Sequence, residues 1–510
     1  MAKNDGDQRV LATAQHIVRT LGKNDEATED MIRILSTFDD RFSSMNKLIN
    51  ENQDSATSSI TSALKNMKET LEQSEEIIMM WENKNTMIWD NQSHEADSYV
   101  NAVDQLYTLT RAPRNDKSLR NRAQHALDIS ISRLKEEFRY VLVMNSEAVD
   151  GGWLLSCMNE SGHSNEQDDL SGLNIDSSDD EKFENEDIPI AHPVTEFDAS
   201  FDPIPPERIR DLNMIAHCMA RIGVIGECSQ VYVNVRKTVL HQSLYRLGLE
   251  KPNAEILQKM NWDMLEVKIR KWMQSFKVAV KVVFRAEKRL CDHVFIGLNN
   301  EGETSFTDLA SSSFLQFLLF AHIVTMTRRT PEKLFKILDM YELIKELMPE
   351  ISNIFQSESV LSEAKGVASQ IGEVARGILQ EFEIAIQKDA AKNPVSGGNF
   401  HGLTRYVMNY IKLLVVYSSS LEHLLRGKKR EIPRSLGVET FGLSEGLRST
   451  AANESESSLA IQVMWLIVHL ERNLEEKSKL YSDPSMGFLF LMNNVHYIVH
   501  KVRQSELVSL

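Results

Sequence analysis

Cysteine is nearly missing from this chain: its 510 residues hold four, Cys157, Cys218, Cys228 and Cys291, and no two form a Cys-x-x-Cys pair. Metal knuckles need thiolates at that spacing, which argues against a structural zinc or iron–sulfur site. Three of the four lie in stretches of helical periodicity and are expected to be buried, reduced thiols. Cys157 sits near an acidic segment. Proline and glycine are sparse as well, at 12 and 22 residues. Period-two apolar alternation between tight turns is hard to find, so the chain reads as all-helical rather than as a sandwich, barrel or parallel sheet. No GxxxxGK[ST] loop occurs, and Gly397–Gly398 precedes no matching lysine, so a P-loop nucleotide site is not expected.

Long apolar runs are lacking too. A membrane-spanning helix needs about 20 predominantly apolar residues. The best stretch, Phe314–Val324, is short and holds Gln316 and His322, which fits a buried core helix. The first ten residues, MAKNDGDQRV, contain no apolar secretion segment, so the Asn91, Asn159 and Asn453 sequons are not expected to carry sugar. The expected location is cytoplasmic or peripheral to a membrane. A basic domain is the last absence. The net charge is −16, and Glu147–Asp202 holds 16 acidic residues against one basic residue, Lys182, or −15, leaving −1 for everything else. Near-neutral folded parts argue against a nucleic-acid binder.

What is present is helical periodicity over a chain too long for one core, which should divide into two to four bundles. After a first amphipathic segment, Val10–Leu21, the residues Leu35, Phe38, Phe42, Met45 and Ile49 follow in steps of three and four. Ile60, Leu64, Met67, Leu71, Ser74, Ile78, Trp81 and Ile88 resume the pattern after an eleven-residue step, which reads as a coiled-coil seam with a stutter. If helical throughout, Leu35–Ile88 would span about 80 Å. A seam of this kind packs on the chain's own next helices or on a partner's, and spacing alone does not name its mate. Helices continue at Tyr99–Leu109 and Leu119–Val143, with a break near Ala112–Pro113–Arg114.

Residues 146–203 form an acidic linker with too little apolar surface to offset the entropy of ordering, so disorder is expected there. Within it, Ser177 and Ser178 precede Asp179, Asp180 and Glu181, as acid-directed phosphorylation sites do. The expected organisation is therefore N-terminal helices over residues 1–145, the linker over 146–203, and helical bundles over 204–350 and 351–510. Helices are expected at Pro206–Ile222, Glu227–Leu247, Asn253–Gln258, Trp262–Asn299, Asp308–Thr327 and Thr330–Leu347. Trp262 and Trp272 read as core anchors. In Thr330–Glu342 the Thr330 hydroxyl is placed to cap a helix, with Pro331 at the first helical position. Leu334, Ile337, Leu338, Tyr341, Ile344 and Met348 share a face, and Pro349 marks the expected end. Small residues recur over Ser359–Ala385 (Ala364, Gly366, Ala368, Gly372, Ala375, Gly377), permitting close helix contact. A turn at Asn393–Gly398, a helix at His401–Arg426, a loop at Gly437–Glu456 and helices at Ser457–Tyr481 and Pro484–Val502 complete the chain.

Arg426, Lys428, Lys429, Arg430 and Arg434, less Glu431, form the clearest basic cluster, at +4. Near an anionic leaflet this contributes about 4 kcal/mol. Alone that corresponds to a dissociation constant of about 1 mM, enough to assist docking on a membrane and too weak to hold the protein there. His496 and His500 sit four apart on one helical face, but Tyr497 stands where a zincin needs glutamate and no third ligand is evident. No metal, cofactor or catalytic residue is assigned.

Several strings nevertheless carry ancestry. TPEKLFKILDMYE (Thr330–Glu342), HGLTRYVMNYIKLL (His401–Leu414), KRLCDHVF (Lys288–Phe295), VYVNVRKTVLHQSLYRLGLEK (Val231–Lys251) and NNVHYIVHKVRQSEL (Asn493–Leu507) resemble signatures of the plant branch of the seventy-kilodalton exocyst subunit family. The likeness is strong from about Ile204 onward and much weaker before Ile188. It implies an elongated rod of stacked antiparallel helical bundles with a long N-terminal coiled-coil-like helix. It also implies a non-enzymatic subunit that tethers secretory vesicles to the plasma membrane. The implied partners are other exocyst subunits, meeting the N-terminal seam, phosphoinositide-containing membrane, and small GTPases. An adaptor or decoy acting outside the complex, in plant defence or autophagy, is the alternative. The family continues beyond the match to Asn493–Leu507 into a further C-terminal region that supplies the main lipid contact, so this chain, ending at Leu510, is expected to lack it. Gly402, where the family more often has proline, is a smaller departure.

Overall fold

The computed structural model describes residues 65–82, 84–90, 93–111, 117–149, 203–390, 393–426 and 457–504, with two isolated positions, 16 and 33. Among the described residues every regular element is helical. The chain divides into two compact units, Met1–Glu137 with Cys218–Val224, and Phe138–His217 with Ile225–Leu510. The upstream seam Leu35–Leu64, most of the acidic linker with Ser177 and Ser178, and the basic residues Lys428–Arg434 lie outside the described residues.

In the first unit, helix α1 (residues 65–82) buries Leu71, Ser74, Ile78 and Trp81, a three-and-four repeat that turns one side toward the core. It is tied to α2 (Ser93–Arg111) by the Ser74 hydroxyl, which donates to Gln105 Oε1 at 2.9 Å. It is tied to α3 (Lys117–Met144) by the ion pair of Arg122 with Glu75. The expected single helix through Ile88 is interrupted: α1 stops at residue 82, and a short 3-10 turn, Ile88–Asp90, follows. The polar run from Glu82 to Thr86 offers no apolar face to continue the seam. Instead Glu137 Oε1 on α3 accepts from the Ile88 N–H at 2.9 Å and from Arg133 Nε at 2.9 Å.

The second unit runs from α4 (Pro206–Arg221, whose last residues belong to the first unit) through α5 (Ile225–Arg246) and α6 (Ala254–Lys259) to α7 (Trp262–Val278). The Asn253 and Asn261 side chains accept from the Ile256 and Met264 N–H groups at 3.2 and 3.3 Å, capping α6 and α7. Gly248, at φ +87°, closes α5 by a reversed turn in which the Leu249 N–H reaches the Leu244 carbonyl at 3.0 Å. The expected helix Trp262–Asn299 is broken by a π-helical segment, Ala279–Phe284, and resumes as α8 (Arg285–Val294). The extra residue of a π turn rotates the register locally, so that Ala279, Val280, Val283 and Phe284 are all buried.

Helix α9 (Glu301–Thr325) begins seven residues earlier than the expected Asp308, because Asn299, at φ 47°, already turns the chain. By length and composition it is the helix among those described that is apolar enough to cross a membrane, yet it packs against α5, α8 and its other neighbours, burying Phe306, Phe314 and Phe317. Phe314 stacks on Phe355 at 4.7 Å, Phe284 meets both, and Trp272 lies parallel to Phe276 at 5.1 Å while donating its indole N–H to the Phe317 carbonyl at 3.1 Å. Trp272 is thus a core anchor. Trp262 is half-buried beneath the Lys333 ammonium.

Helix α10 (Leu334–Ile354) corrects two expectations. Thr330 makes no side-chain cap; the first turn is a 3-10 turn, Pro331–Lys333, closed by Lys333 N–H to the Thr330 carbonyl at 3.1 Å. Pro349 does not end the helix. It removes one backbone hydrogen bond on an exposed side, and burial of Ile351, Ile354 and Phe355 carries the helix another turn. Helix α11 (Glu358–Lys388) lies against α10, with α12 (Gly402–Val416), α13 (Ser418–Leu425), α14 (Ser458–Ser478) and α15 (Pro484–Gln504) completing the unit. The expected helix His401–Arg426 is split at Tyr417, whose ψ of 22° turns its hydroxyl onto Asp339 Oδ1 at 2.7 Å.

Candidate interaction surfaces

Three places bear on function, each built inside one unit. The first is the described end of the N-terminal seam. Met67 is half-buried, and Leu71, Ile78 and Trp81 are covered by the chain itself, so on this stretch the seam faces its own unit. Leu35, Phe38, Phe42, Met45, Ile49, Ile60 and Leu64 lie outside the described residues.

The second is the stem that carries the basic cluster. Arg426 is exposed at the end of α13. One turn earlier, Glu422 reaches across to the start of α14: its carboxylate accepts from the Ser458 N–H at 3.0 Å, the Leu459 N–H at 2.9 Å and the Ser457 hydroxyl. Ser457 Oγ in turn accepts from the Ala460 N–H at 3.0 Å. A carboxylate at a helix N-terminus satisfies donors that otherwise have no partner and complements the helix dipole. Arg376 on α11 donates to the Leu424 carbonyl at 2.8 Å and ties the same turn to the bundle. The two ends of the 427–456 segment, Arg426 and Ser457, are therefore held together as one anchored stem. Sequence reading missed Glu422; its signal, a lone acid on an otherwise uncharged apolar turn, is weak.

The third is α15. Its inner face is fully engaged: Phe490, Asn494 and Ile498 are buried. Asn494 Oδ1 accepts from the His401 N–H at 2.9 Å and from Thr404 Oγ1 at 2.8 Å, while Asn493 Nδ2 donates to the Gly398 carbonyl at 2.8 Å. Roughly opposite, at 100° per residue, stand Phe488, Met492, Val495 and Val499, which are 72%, 61%, 40% and 41% exposed. Sequence reading placed α15 correctly but did not separate these two stripes, because each alone satisfies a helical period.

Groups suggestive of chemistry turn out to be structural. Glu383 and His469 pair at 2.9 Å in the core between α11 and α14, with Gln387 against the same imidazole. Arg236 and Glu287 form a buried ion pair, and Arg236 also donates to Ser146 Oγ at 2.9 Å. Burial pushes the Cys218 thiol up to about 12, with Asp104 adding to the effect, and pushes Cys291 higher still, so neither is a ready nucleophile. His496 and His500 stack with ring centres 6.2 Å apart. Among the described residues no group of three or more His, Cys, Asp or Glu side chains is placed to hold a metal. A shallow groove of about 640 Å3 follows α5 past Lys237, His241, Tyr245 and Arg246, without a nucleophile–base pair.

Comparison with known proteins is informative at both ends. Residues 270–510 match the family model for the C-terminal part of the Exo70 exocyst complex subunit, and residues 63–144 match the model for the N-terminal part of exocyst complex component Exo70. The chain is 34% identical to exocyst complex component EXO70B1 of Arabidopsis thaliana, over 99% of this chain and 78% of the relative. Against EXO70A1 of the same plant it is 31% identical, over 96% of this chain and 74% of the relative. The crystal structure of the S. cerevisiae exocyst component Exo70p superposes with a TM-score of 0.56 at 11% identity, covering 86% of this chain and 79% of that one. That likeness shares the all-helical fold. The expectation of a missing C-terminal region is corrected: the C-terminal family model is matched through residue 510, because α14 and α15 belong to that region. The N-terminal helices, where motif strings were faint, are matched as well.

Proposed function

Since the chain belongs to the Exo70 family of exocyst subunits, we propose that it tethers secretory vesicles to the plasma membrane as a non-catalytic member of an exocyst complex, working at the cytoplasmic face. The observation that carries this reading is the 34% identity to an exocyst component along 99% of the chain. In this proposal residues 1–145 engage other exocyst subunits, with Leu35–Leu64 as the portion of the seam offered to a partner helix. Residues 146–203 are an acidic spacer ahead of helical bundles at 204–350 and 351–510. Arg426, Lys428, Lys429, Arg430 and Arg434 lend a weak contact to phosphoinositide membrane, and small GTPases are further partners. Weak contacts at two places on one molecule reinforce each other when both are engaged, which suits a tether.

The test is affinity purification of the tagged chain from plant cells, read by mass spectrometry. Other exocyst subunits are expected among the recovered proteins. Their absence, with the chain itself recovered intact, rejects the reading and points to an adaptor acting outside the complex. The lipid contact is read on vesicles containing phosphatidylinositol bisphosphate. Weak binding should fall further when Lys428, Lys429 and Arg430 become Glu, and tight, charge-insensitive binding counts against that assignment.

A further inference from the structure

Helix α15 is apolar on two opposite sides, and one side has no cover. A helix that is hydrophobic all round is ordinarily buried all round. Here the inner side is closed by Phe490, Asn494 and Ile498, while Phe488, Met492, Val495 and Val499 face solvent in steps of four, three and four. That spacing is the one a second helix needs in order to seat its own side chains between these. From Phe488 to Val499 the stripe runs about 17 Å, some three turns. Phe488 is the protruding aromatic anchor, and Met492 at the middle is a flexible side chain that adapts to a partner's shape.

Charge selects among the possible occupants. Helix α15 contains no Asp or Glu, and its last turn carries Lys501 and Arg503. His496 and His500 lie exposed beside the stripe. On the neighbouring α14, Glu476 is occupied by Lys479 at 2.8 Å, and the Asp483 carboxylate ahead of α15 accepts from the Ser485 N–H at 2.9 Å. A second copy of α15 would bring another acid-free helix, setting Lys501 and Arg503 against their counterparts in parallel register. Acidic flanks, in contrast, complement this rim and set partner choice.

We propose that the outer face of α15 is a docking site for an amphipathic helix with acidic flanks, supplied by another protein. The stripe is short, so the contact belongs to the weak, transient class. It does not depend on the exocyst reading, since a chain working outside that complex would present the same face.

The test uses the full chain and two labelled helical peptides, each with a Leu/Ile seam in the same four-three-four steps, one flanked by Glu and one by Lys. Fluorescence anisotropy should show binding of the Glu-flanked peptide, weakened about tenfold or more by Met492→Asp. High salt and the double change Lys501→Glu, Arg503→Glu should weaken it too. The Lys-flanked peptide should not bind. Phe488 and Met492 are solvent-facing, so Met492→Asp should leave the melting temperature unchanged. A fall in melting temperature would mean the chain itself covers this face and would overturn the proposal. So would equal binding of both peptides, or no binding of either. A wild-type dimer by light scattering that Met492→Asp dissociates would make a second copy the occupant. Vesicle capture that needs Phe488, without peptide binding, would make it a membrane.

Discussion

At the scale of single residues, the small-residue run on α11 divides by what each Cβ would meet. A Cβ on Gly372 would come within 2.6 Å of Leu424 Cδ2, so α11 and α13 touch only because that position is glycine. Gly366, six residues earlier, faces solvent with nothing within 4 Å. Opposite signs are therefore expected from the same substitution. Gly372→Ala should destabilise by about 1–3 kcal/mol through overpacking, partly offset by the better helix propensity of alanine. Gly366→Ala should stabilise by about 0.5–1 kcal/mol. Urea unfolding of the two variants beside the parent checks this, and equal shifts would refute the packing argument.

At the scale of elements, helix ends here are organised as much by neighbours as by their own residues. Asn253, Asn261 and His401 cap their own helices, as local sequence rules anticipate for Asn. The start of α14 depends in addition on Glu422, brought from α13 across 35 residues. Replacing Glu422 by Ala leaves the Ser458 and Leu459 N–H groups without their carboxylate, and a loss of about 1–3 kcal/mol is expected. Hydrogen exchange should quicken at Ser458 and Leu459 while the middle of α14 stays protected. Unchanged exchange there would mean that solvent replaces the carboxylate at no cost. The same clamp holds the ends of the segment bearing Lys428–Arg434, so this variant also separates anchoring of the stem from the charge of the loop.

At the scale of the whole molecule, buried phenols set the alkaline limit. Burial raises Tyr99, Tyr232, Tyr410 and Tyr417 above the ordinary value of 10.0, and nearby acidic groups, including Glu137, Glu287, Glu332 and Asp339, add to the effect. A phenol raised in the folded state keeps its proton while the unfolded chain loses it, so the fold binds more protons above about pH 10 and stability falls as pH rises. Lys333, lowered by burial and by Arg328, contributes in the opposite sense as its own proton leaves. The melting temperature should therefore hold from neutral pH to about pH 9 and then drop. In Tyr232→Phe, a drop as steep as in the parent would sink this assignment.

Helical class, the order of most helices and the ancestry of the strings from Val231 to Leu507 were legible in the residues alone, because a 3.6-residue apolar period and capping side chains act over a few neighbouring positions. The breaks were not. The π turn at Ala279–Phe284, the passage of α10 through Pro349 and the kink at Tyr417 depend on partners distant in sequence, and a local propensity of about 1–3 kcal/mol yields when burial elsewhere is worth more. For the same reason spacing proposed the seam at Leu71–Trp81, but only the fold showed its own unit covering it. Likewise, spacing could not say which stripe of α15 is closed: Phe490, Asn494 and Ile498 meet α12 and the turn before it, and Phe488, Met492, Val495 and Val499 meet water. A repeat in sequence specifies a face, and tertiary packing decides what that face meets.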